Sequence, residues 1–180
     1  MDARILPAPR SSYPAAVAIR QRLKTGVRVA RLGSLFVTFM ALRHVLPIAT
    51  LARWAWNAPA GPRQRNITSE RIVAARVRRI MRLAGDPDGQ CLARGLVLYR
   101  ELSRMGANPQ LVIGFKRELE MPVGHAWVVV DGRPIDEPPE LIEALAPTCA
   151  YGQRGVLART LPESPTAVDG LDDVEASRQP

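Results

Sequence analysis

The sequence contains few of the residues that crosslink proteins or carry out nucleophilic chemistry. Its 180 residues include two cysteines and two histidines, and 5% of them are aromatic. Two cysteines are too few for a disulfide framework, so a reducing, cytoplasmic setting is expected. The sequence also lacks the CxxC and HxxxH spacings of zinc sites and has no run of about 20 apolar residues, as a membrane-spanning helix needs. We expect no metal and no other cofactor.

Acidic residues are scarce in the first half of the chain. Residues 1–83 contain 16 Lys and Arg but two Asp and Glu, whereas residues 84–180 contain nine and 15. This asymmetry indicates an acidic partner for the N-terminal half, and charge alone does not choose between a protein, a peptide, an anionic membrane and a nucleic acid. The apolar stretch at 34–42 predicts a buried or interfacial helix, so a contact between the basic N-terminal helices and a membrane surface stays open.

Hydrophobic periodicity divides the chain into three parts. Residues 15–56 have a helical pattern, and a break rich in Pro and Ala follows it. We therefore predict an N-terminal helical appendage over 1–65, a catalytic core over 66–161, and a disordered tail over 162–180, where Asp, Glu, Ser and Pro are frequent.

The predicted core has an α+β order. One helix begins near Thr68, a candidate N-cap, and a second begins at Cys91 and ends at Gly106. Strands are predicted at 111–115, 123–130 and 133–136, and a short helix at 140–146.

Cys91 is the first candidate catalytic residue, because it lies at a predicted helix N-terminus. A thiol is nucleophilic only as the thiolate, and unpaired N–H groups at the start of a helix lower its pKa. The same N–H groups can stabilise an oxyanion. Position alone is equally consistent with a small buried core cysteine.

His125 is the second candidate, because it lies in an apolar strand rather than on a solvated helix. Side chains alternate along a strand, so His125 shares a face with Trp127 and Val129. A lone histidine in such a place is usually structural. Together with Cys91 it becomes a candidate general base.

An acidic residue beyond the hairpin is the third candidate. The two-residue Asp-Gly turn at 131–132 fixes the hairpin register, which places Asp136 diagonally across from His125 on the same face. Glu137 would then point to the other face. Pro134 could introduce a bulge that reverses this parity. We predict Asp136 as the group that orients His125, with Glu137 as the alternative.

Four segments together resemble a known family. They are the run Cys91-Leu-Ala-Arg-Gly-Leu-Val-Leu, the turn Gly106-Ala-Asn-Pro, the strand Leu111-Val-Ile-Gly-Phe, and the run Gly124-His-Ala-Trp-Val-Val-Val-Asp-Gly. They resemble the transglutaminase-like leader peptidase of lasso-peptide biosynthesis, and the resemblance covers residues 70–140. It implies a papain- or transglutaminase-like α+β core, in which a central helix carrying Cys packs on a small antiparallel sheet carrying His and Asp, after an N-terminal helical region.

The resemblance also implies a function. Such peptidases cleave the leader from a ribosomally made precursor peptide, with Cys91 as the nucleophile, His125 as base and then acid, and the acidic residue after the hairpin as the orienter. Members of the family often place that aspartate one residue later, which is Glu137 here. A separate leader-recognition protein and an ATP-dependent lasso cyclase are the expected partners, and no nucleic acid is expected.

Two other functions stay open. An acyltransferase or transamidase would use the same triad but resolve the thioester with an amine. A non-enzymatic basic adaptor would keep Cys91 and His125 as core residues. Among the remaining residues, Gln90 and Trp127 are predicted to bind substrate, Gln90 as an oxyanion-hole donor and Trp127 as the floor of the cleft or a packing partner of His125. His44 and Cys149 are predicted to be non-catalytic.

Overall fold

The computed structural model describes residues 13–59, 61, 64–83, 90–116, 123–135 and 137–161. Within these ranges the helices and strands follow the predicted α+β order, with four helices before the first strand. They are α1 (Tyr13–Leu42), α2 (Ile48–Ala55), α3 (Ile67–Leu83), α4 (Cys91–Arg104), β1 (Pro109–Lys116), β2 (Gly124–Val130), β3 (Arg133–Ile135), α5 (Pro139–Glu143) and β4 (Leu145–Tyr151). The predicted fold class is confirmed. The predicted tail at 162–180 lies outside the described residues.

The N-terminal region forms two helices where the periodicity predicted one helical stretch. Pro47 separates them, because a proline ring cannot continue a helix, and its carbonyl accepts hydrogen bonds from the N–H groups of Thr50 (2.9 Å) and Leu51 (3.1 Å) at the start of α2. Both helices contribute buried residues to the core that surrounds α4, namely Leu32, Phe36, Phe39, Leu51, Ala52 and Ala55. The boundary near residue 65 stays a prediction, although residues on both sides of it share this core.

The last part of α1 is apolar but largely outside the core. Within the described residues, Thr25–Leu42 is the one segment whose length and composition would allow it to cross a membrane, and 17% of it is buried. Such a segment also occurs in soluble proteins.

The start of α3 differs in detail from the prediction. The side-chain oxygen of Asn66 accepts a hydrogen bond from the N–H of Ser69 at 2.9 Å, so Asn66 caps the helix and Thr68 lies inside it. Thr68 as N-cap was therefore wrong. The apolar face of the helix includes Val73, Val77 and Ile80, which all pack in the core.

The sheet has the strand order β3-β2-β1-β4, with antiparallel neighbours throughout. Asp131 and Gly132 both have positive φ, at 51° and 74°, as a tight hairpin turn requires. The predicted register is confirmed, because Val130 pairs with Arg133 and the pairing continues through Pro134 without a bulge. Pro134 is tolerated there because β3 is an edge strand.

The fourth strand was not predicted from the sequence. The expected helix at 140–146 ends at Glu143, and Leu145 begins β4, which pairs with β1 at Lys116. Pairing with β1 buries Leu145 and Ala150 on the sheet, and this long-range contact overrides the weak local pattern.

Helix α4 lies close against the sheet and sets the position of the candidate site. A Cβ atom on Gly95 would lie 2.9 Å from the end of the Leu111 side chain and 3.8 Å from the Ala126 carbonyl oxygen, so α4 lies close to both β1 and β2 here. The helix ends as predicted at Gly106, whose φ is 87°. Because Gly95 is one turn beyond Cys91, the close approach also directs Cys91 towards β2.

The segment after β4 is fastened to α4 by Tyr99. The Tyr99 hydroxyl donates to the carbonyl of Gly152 and accepts from the N–H of Gly155 at 3.1 Å. This segment includes a short 3-10 turn, Gln153–Gly155, which packs against the backbone of α2. The Gln153–Gly155 turn thus connects the C-terminal part of the described chain to α2 and α4.

Candidate active site

Cys91 is the first residue of α4 and is almost completely buried. Burial by itself raises the pKa of a thiol. Here a hydrogen bond with His125 and the backbone N–H groups of Ala126 and Leu92 outweigh burial, so the pKa of Cys91 is lowered from its ordinary 9.0. The start of α4 therefore favours the thiolate, which is the nucleophilic form.

His125 lies near the start of β2, opposite Gly114 of β1. Its ring lies nearly parallel to that of Trp127, at an interplanar angle of 20° and a centroid distance of 6.3 Å. Burial lowers the pKa of His125, but polar contacts with the Cys91 thiol and with Glu137 outweigh burial and raise it from 6.5 to about 9. A protonated imidazole beside a thiolate is the resting state that these two shifts favour.

Gly114 makes room for the ring next to His125. A Cβ atom at this position would lie 2.9 Å from the Trp127 indole and 2.5 Å from the carbonyl oxygen of Ala146 in β4. The missing side chain therefore allows Trp127 to fill the sheet face beside the imidazole. The sequence predicted a strand here without assigning Gly114 a role.

Glu137 is the carboxylate that the described residues bring to His125. Its Oε1 atom lies 3.5 Å from Nε2 of His125 and also contacts a guanidinium nitrogen of Arg94. At this distance His125 Nε2, which is buried, makes no regular hydrogen bond to any described residue. Contacts of this kind are often long in a free enzyme and shorten when substrate binds. Because Nε2 faces Glu137, Nδ1 is the nitrogen left to exchange a proton with Cys91.

Asp136, predicted as the third member of the site, lies outside the described residues, and its role stays a prediction. The parity argument for it assumed that the β2–β3 ladder continues beyond Ile135. Among the described residues this pairing runs to Ile135, opposite Val128. The same argument turned the Glu137 side chain away from His125. Glu137 instead reaches His125 and α4.

Arg94 was not singled out from the sequence, although it belongs to the quoted run that starts at Cys91. It lies three residues after Cys91, which places both on neighbouring positions of one helix face. A search for charged residues one turn beyond the candidate nucleophile would have found it.

Gln90 and Trp127 lie where they can influence the site, and their substrate-binding roles stay predictions. Gln90 is a buried residue directly before α4, and its side-chain oxygen has no hydrogen-bond partner among the described residues. Trp127 is 3% exposed and packs in a second hydrophobic cluster on the sheet, beside Val129 and Ile142.

The other predicted bystanders lie elsewhere. His44 follows α1, where its Nε2 accepts a hydrogen bond from Arg43 at 3.2 Å. Cys149 lies in β4, which is separated from β2 by β1. Among the described residues, no three His, Cys, Asp or Glu side chains form a group that could hold a metal ion. The expectation of no metal or cofactor stays a prediction.

The opposite pKa shifts of Cys91 and His125 predict how Cys91 reacts with iodoacetamide as the pH changes. In a Cys149→Ser background, the alkylation rate should rise with an inflection below pH 9.0, because the thiolate forms early beside the imidazolium. A second, smaller rise is expected near pH 9, where His125 loses its proton. In His125→Gln, burial of the thiol remains but its charged partner is lost, so the first inflection should move up. Equal inflections in the two proteins would show that His125 does not act on the thiol.

The comparisons with known proteins agree with this geometry. A protein-family model described as the transglutaminase-like superfamily matches residues 34–150. No curated protein and no solved structure matches the chain. The matched region includes part of α1, all elements from α2 to α5 and all but the last residue of β4, with Cys91, His125 and Glu137 among its residues. The chain belongs to the transglutaminase-like superfamily, whose members are generally cysteine-dependent enzymes.

Proposed function

We propose that this protein is a cysteine peptidase that removes the leader from a ribosomally made lasso-peptide precursor. The observation that carries the catalytic part is the contact of Cys91, at a helix N-terminus, with His125, whose other nitrogen faces a carboxylate. The sequence motifs around these residues support the substrate class. A cytoplasmic location, where the precursor is made, belongs to the same proposal.

The reaction would proceed through a thioester. The Cys91 thiolate attacks the carbonyl carbon at the junction between leader and core, and backbone N–H groups at the start of α4 stabilise the oxyanion. The intermediate collapses as His125 gives its proton to the departing amine, which is the new N-terminus of the core peptide. His125 then takes a proton from water, whose oxygen attacks the thioester, and the leader leaves with a C-terminal carboxylate while Cys91 is regenerated.

An acidic side chain would hold His125 in the orientation that this proton transfer needs. The hairpin register favours Asp136 for this role, and the contact with Nε2 favours Glu137. Substitution of each carboxyl by its amide, in Asp136→Asn and Glu137→Gln, separates them. The orienting residue is the one whose replacement causes the larger loss of cleavage rate.

The experiment that tests the function uses the precursor peptide and the recognition protein encoded near this chain's own gene. The purified chain is incubated with both, and the products are identified by mass spectrometry. A peptidase yields a leader that ends in a free carboxylate. A leader whose C-terminal carbonyl is joined to an amine of the reaction mixture, with no hydroxylamine or other strong nucleophile added, would instead identify the acyltransferase alternative. An intact precursor under all conditions would contradict both.

The recognition protein, the cyclase or an acidic leader would dock on the basic N-terminal half. A cleft of about 330 Å³ between α1, α3 and α4 supports this proposal, because its lining is mainly basic. Of the described residues, four arginines line it, Arg28, Arg31, Arg76 and Arg104, against a single acidic residue, Glu101. The exposed face of α3 adds Arg79 and Arg82 nearby along the helix. A membrane surface is a further partner that this charge would suit.

Docking through these arginines predicts a strong dependence on salt. The dissociation constant for the recognition protein should rise several-fold between low and physiological ionic strength, because exposed charges are screened over about 10 Å at 0.1 M salt. Titration at two salt concentrations measures this change. Binding that is insensitive to salt would place the partner on another surface, and binding to anionic vesicles without the protein partner would favour the membrane.

A further inference from the structure

We propose that Arg94 is a positioning residue of this site: it holds the Glu137 carboxylate against His125 and so fixes the imidazole that serves Cys91. The proposal deepens the thiol chemistry described above and depends on it. It requires no particular peptide substrate.

The contacts form a chain of alternating charge. The Cys91 thiol contacts His125, Nε2 of His125 faces Oε1 of Glu137 at 3.5 Å, and the same oxygen contacts the Arg94 guanidinium. Cys91 and Arg94 belong to one helix, α4, whereas His125 comes from β2 and Glu137 from the segment after β3. Helix α4 therefore carries the first and last residues of this series of contacts, and the sheet side of the site supplies the two residues between them.

Glu137 needs such an anchor because it has little contact with water. Its side chain is 6% exposed, and that of Arg94 is 17% exposed. A carboxylate removed from water is costly unless a counter-charge stays beside it. His125 cannot be that permanent partner, because it gives its proton away during the proposed reaction. The guanidinium keeps its charge at every step, so Glu137 keeps a partner while His125 changes its protonation state.

Replacement of Arg94 can change the stability of protonated His125 in either direction, and the residues around His125 show why. Cys91 and Arg94 face it from α4, Glu137 faces it from beyond β3, Trp127 lies beside it on β2, and Gly114 on β1 presents no side chain. If Arg94 positions Glu137, removal of Arg94 lets the carboxylate move away, and the protonated form of His125 becomes less stable. If Arg94 acts through its charge alone, its removal takes a positive charge away from the site, and the protonated form of His125 becomes more stable. The sign of the change distinguishes the two.

The test measures the pH at which Cys91 becomes a thiolate, from its ultraviolet absorbance and its alkylation rate, in a Cys149→Ser background. In Glu137→Gln the inflection should move up by about one pH unit, since the imidazolium loses an opposite charge. Arg94→Gln should move it in the same upward direction, and Arg94→Lys should restore at least half of the change. Arg100→Gln is the matched control on the same helix, where Arg100 donates to the carbonyl of Trp54 at 2.8 Å, and no change is expected.

The double variant decides whether Arg94 acts through Glu137. If Arg94 acts through Glu137, the double variant Arg94→Gln/Glu137→Gln should have its inflection at the same pH as Glu137→Gln alone. If the two residues act independently, the shifts of the two single variants should add in the double variant. An unchanged or lowered inflection in Arg94→Gln, or an additive double variant, would overturn the proposal. If Arg94→Gln does not fold, Arg94→Met keeps the side-chain length without the charge and carries the same test.

These thiol measurements need no peptide substrate, so the two proposals can fail separately. A shifted inflection together with an uncleaved precursor would leave the role of Arg94 intact and contradict the peptidase function. If the wild-type protein cleaves the precursor but the Arg94 variants leave the inflection unchanged, the peptidase function would stand and the role of Arg94 would be contradicted.

Discussion

Replacement of Cys91 by alanine should reduce precursor cleavage by at least about a thousandfold, because the substitution removes the nucleophile on which both steps of a thioester mechanism depend. The fold should be retained, since alanine is smaller than cysteine and suits the first turn of α4. The measurement is the single-turnover rate of leader release, followed by mass spectrometry, with circular dichroism to compare the folded proteins.

Cys149→Ala is the matched control for this substitution. It removes the other thiol of the chain, in β4 on the far side of β1 from His125, and the cleavage rate should stay within about twofold of wild type. A Cys91→Ala protein that cleaves at the wild-type rate would refute the thiol mechanism and favour the basic adaptor. Loss of activity in both variants would point to a general effect of cysteine removal instead.

Replacement of Gly155 by alanine should lower the free energy of unfolding by about 3 kcal/mol, more than the control substitution at Gly132. This loss corresponds to a decrease of about 10 °C in the midpoint of thermal unfolding. Two costs act together here. The backbone of Gly155 has φ of 65°, where residues with a Cβ atom are strained. The added Cβ would also lie 2.3 Å from the backbone nitrogen of Arg53 in α2, a contact that requires the Gln153–Gly155 turn to move. Such movement would disturb the Tyr99 hydrogen bonds that fasten this segment.

Gly132→Ala separates these two costs. Gly132 has a similar φ of 74° in the hairpin turn, but nothing lies within 4 Å of the position that its Cβ would occupy. Its replacement should therefore cost about 1 kcal/mol, from backbone strain alone. Thermal unfolding of the two variants beside wild type measures the difference. If Gly155→Ala is no less stable than Gly132→Ala, the turn does not pack against α2 as closely as the structure has it.

The parts of the fold that the sequence predicted correctly depend on local patterns. The helix that begins at Cys91 follows from the break before it and from its apolar period, and Gly106 ends it because glycine adopts positive φ readily. The register of β2 and β3 follows from a two-residue turn, whose geometry leaves little freedom to the strands on either side. In each case a few neighbouring residues contain the physical cause.

The parts that the sequence did not predict depend on distant contacts. The segment that forms β4 has a weak strand pattern with Pro147 within it, and pairing with β1 makes it a strand. The same limit applies to the third member of the site. Parity along β3 predicted Asp136, which lies outside the described residues, and turned Glu137 away from His125, whereas Glu137 contacts both His125 and Arg94.

Cys91 and His125 were recognisable from the sequence because each occupies a place that its local element makes chemically useful, the start of a helix and the start of an apolar strand. Their contact, the carboxylate of Glu137 beside them and the guanidinium of Arg94 behind it were decided only by the tertiary structure. The reason is geometric: α4 packs closely on β1 and β2 around Gly95, and that packing brings together residues from three separate elements. A one-dimensional pattern gives the type and face of each element, whereas the distances between elements depend on how their side chains fill the space between them.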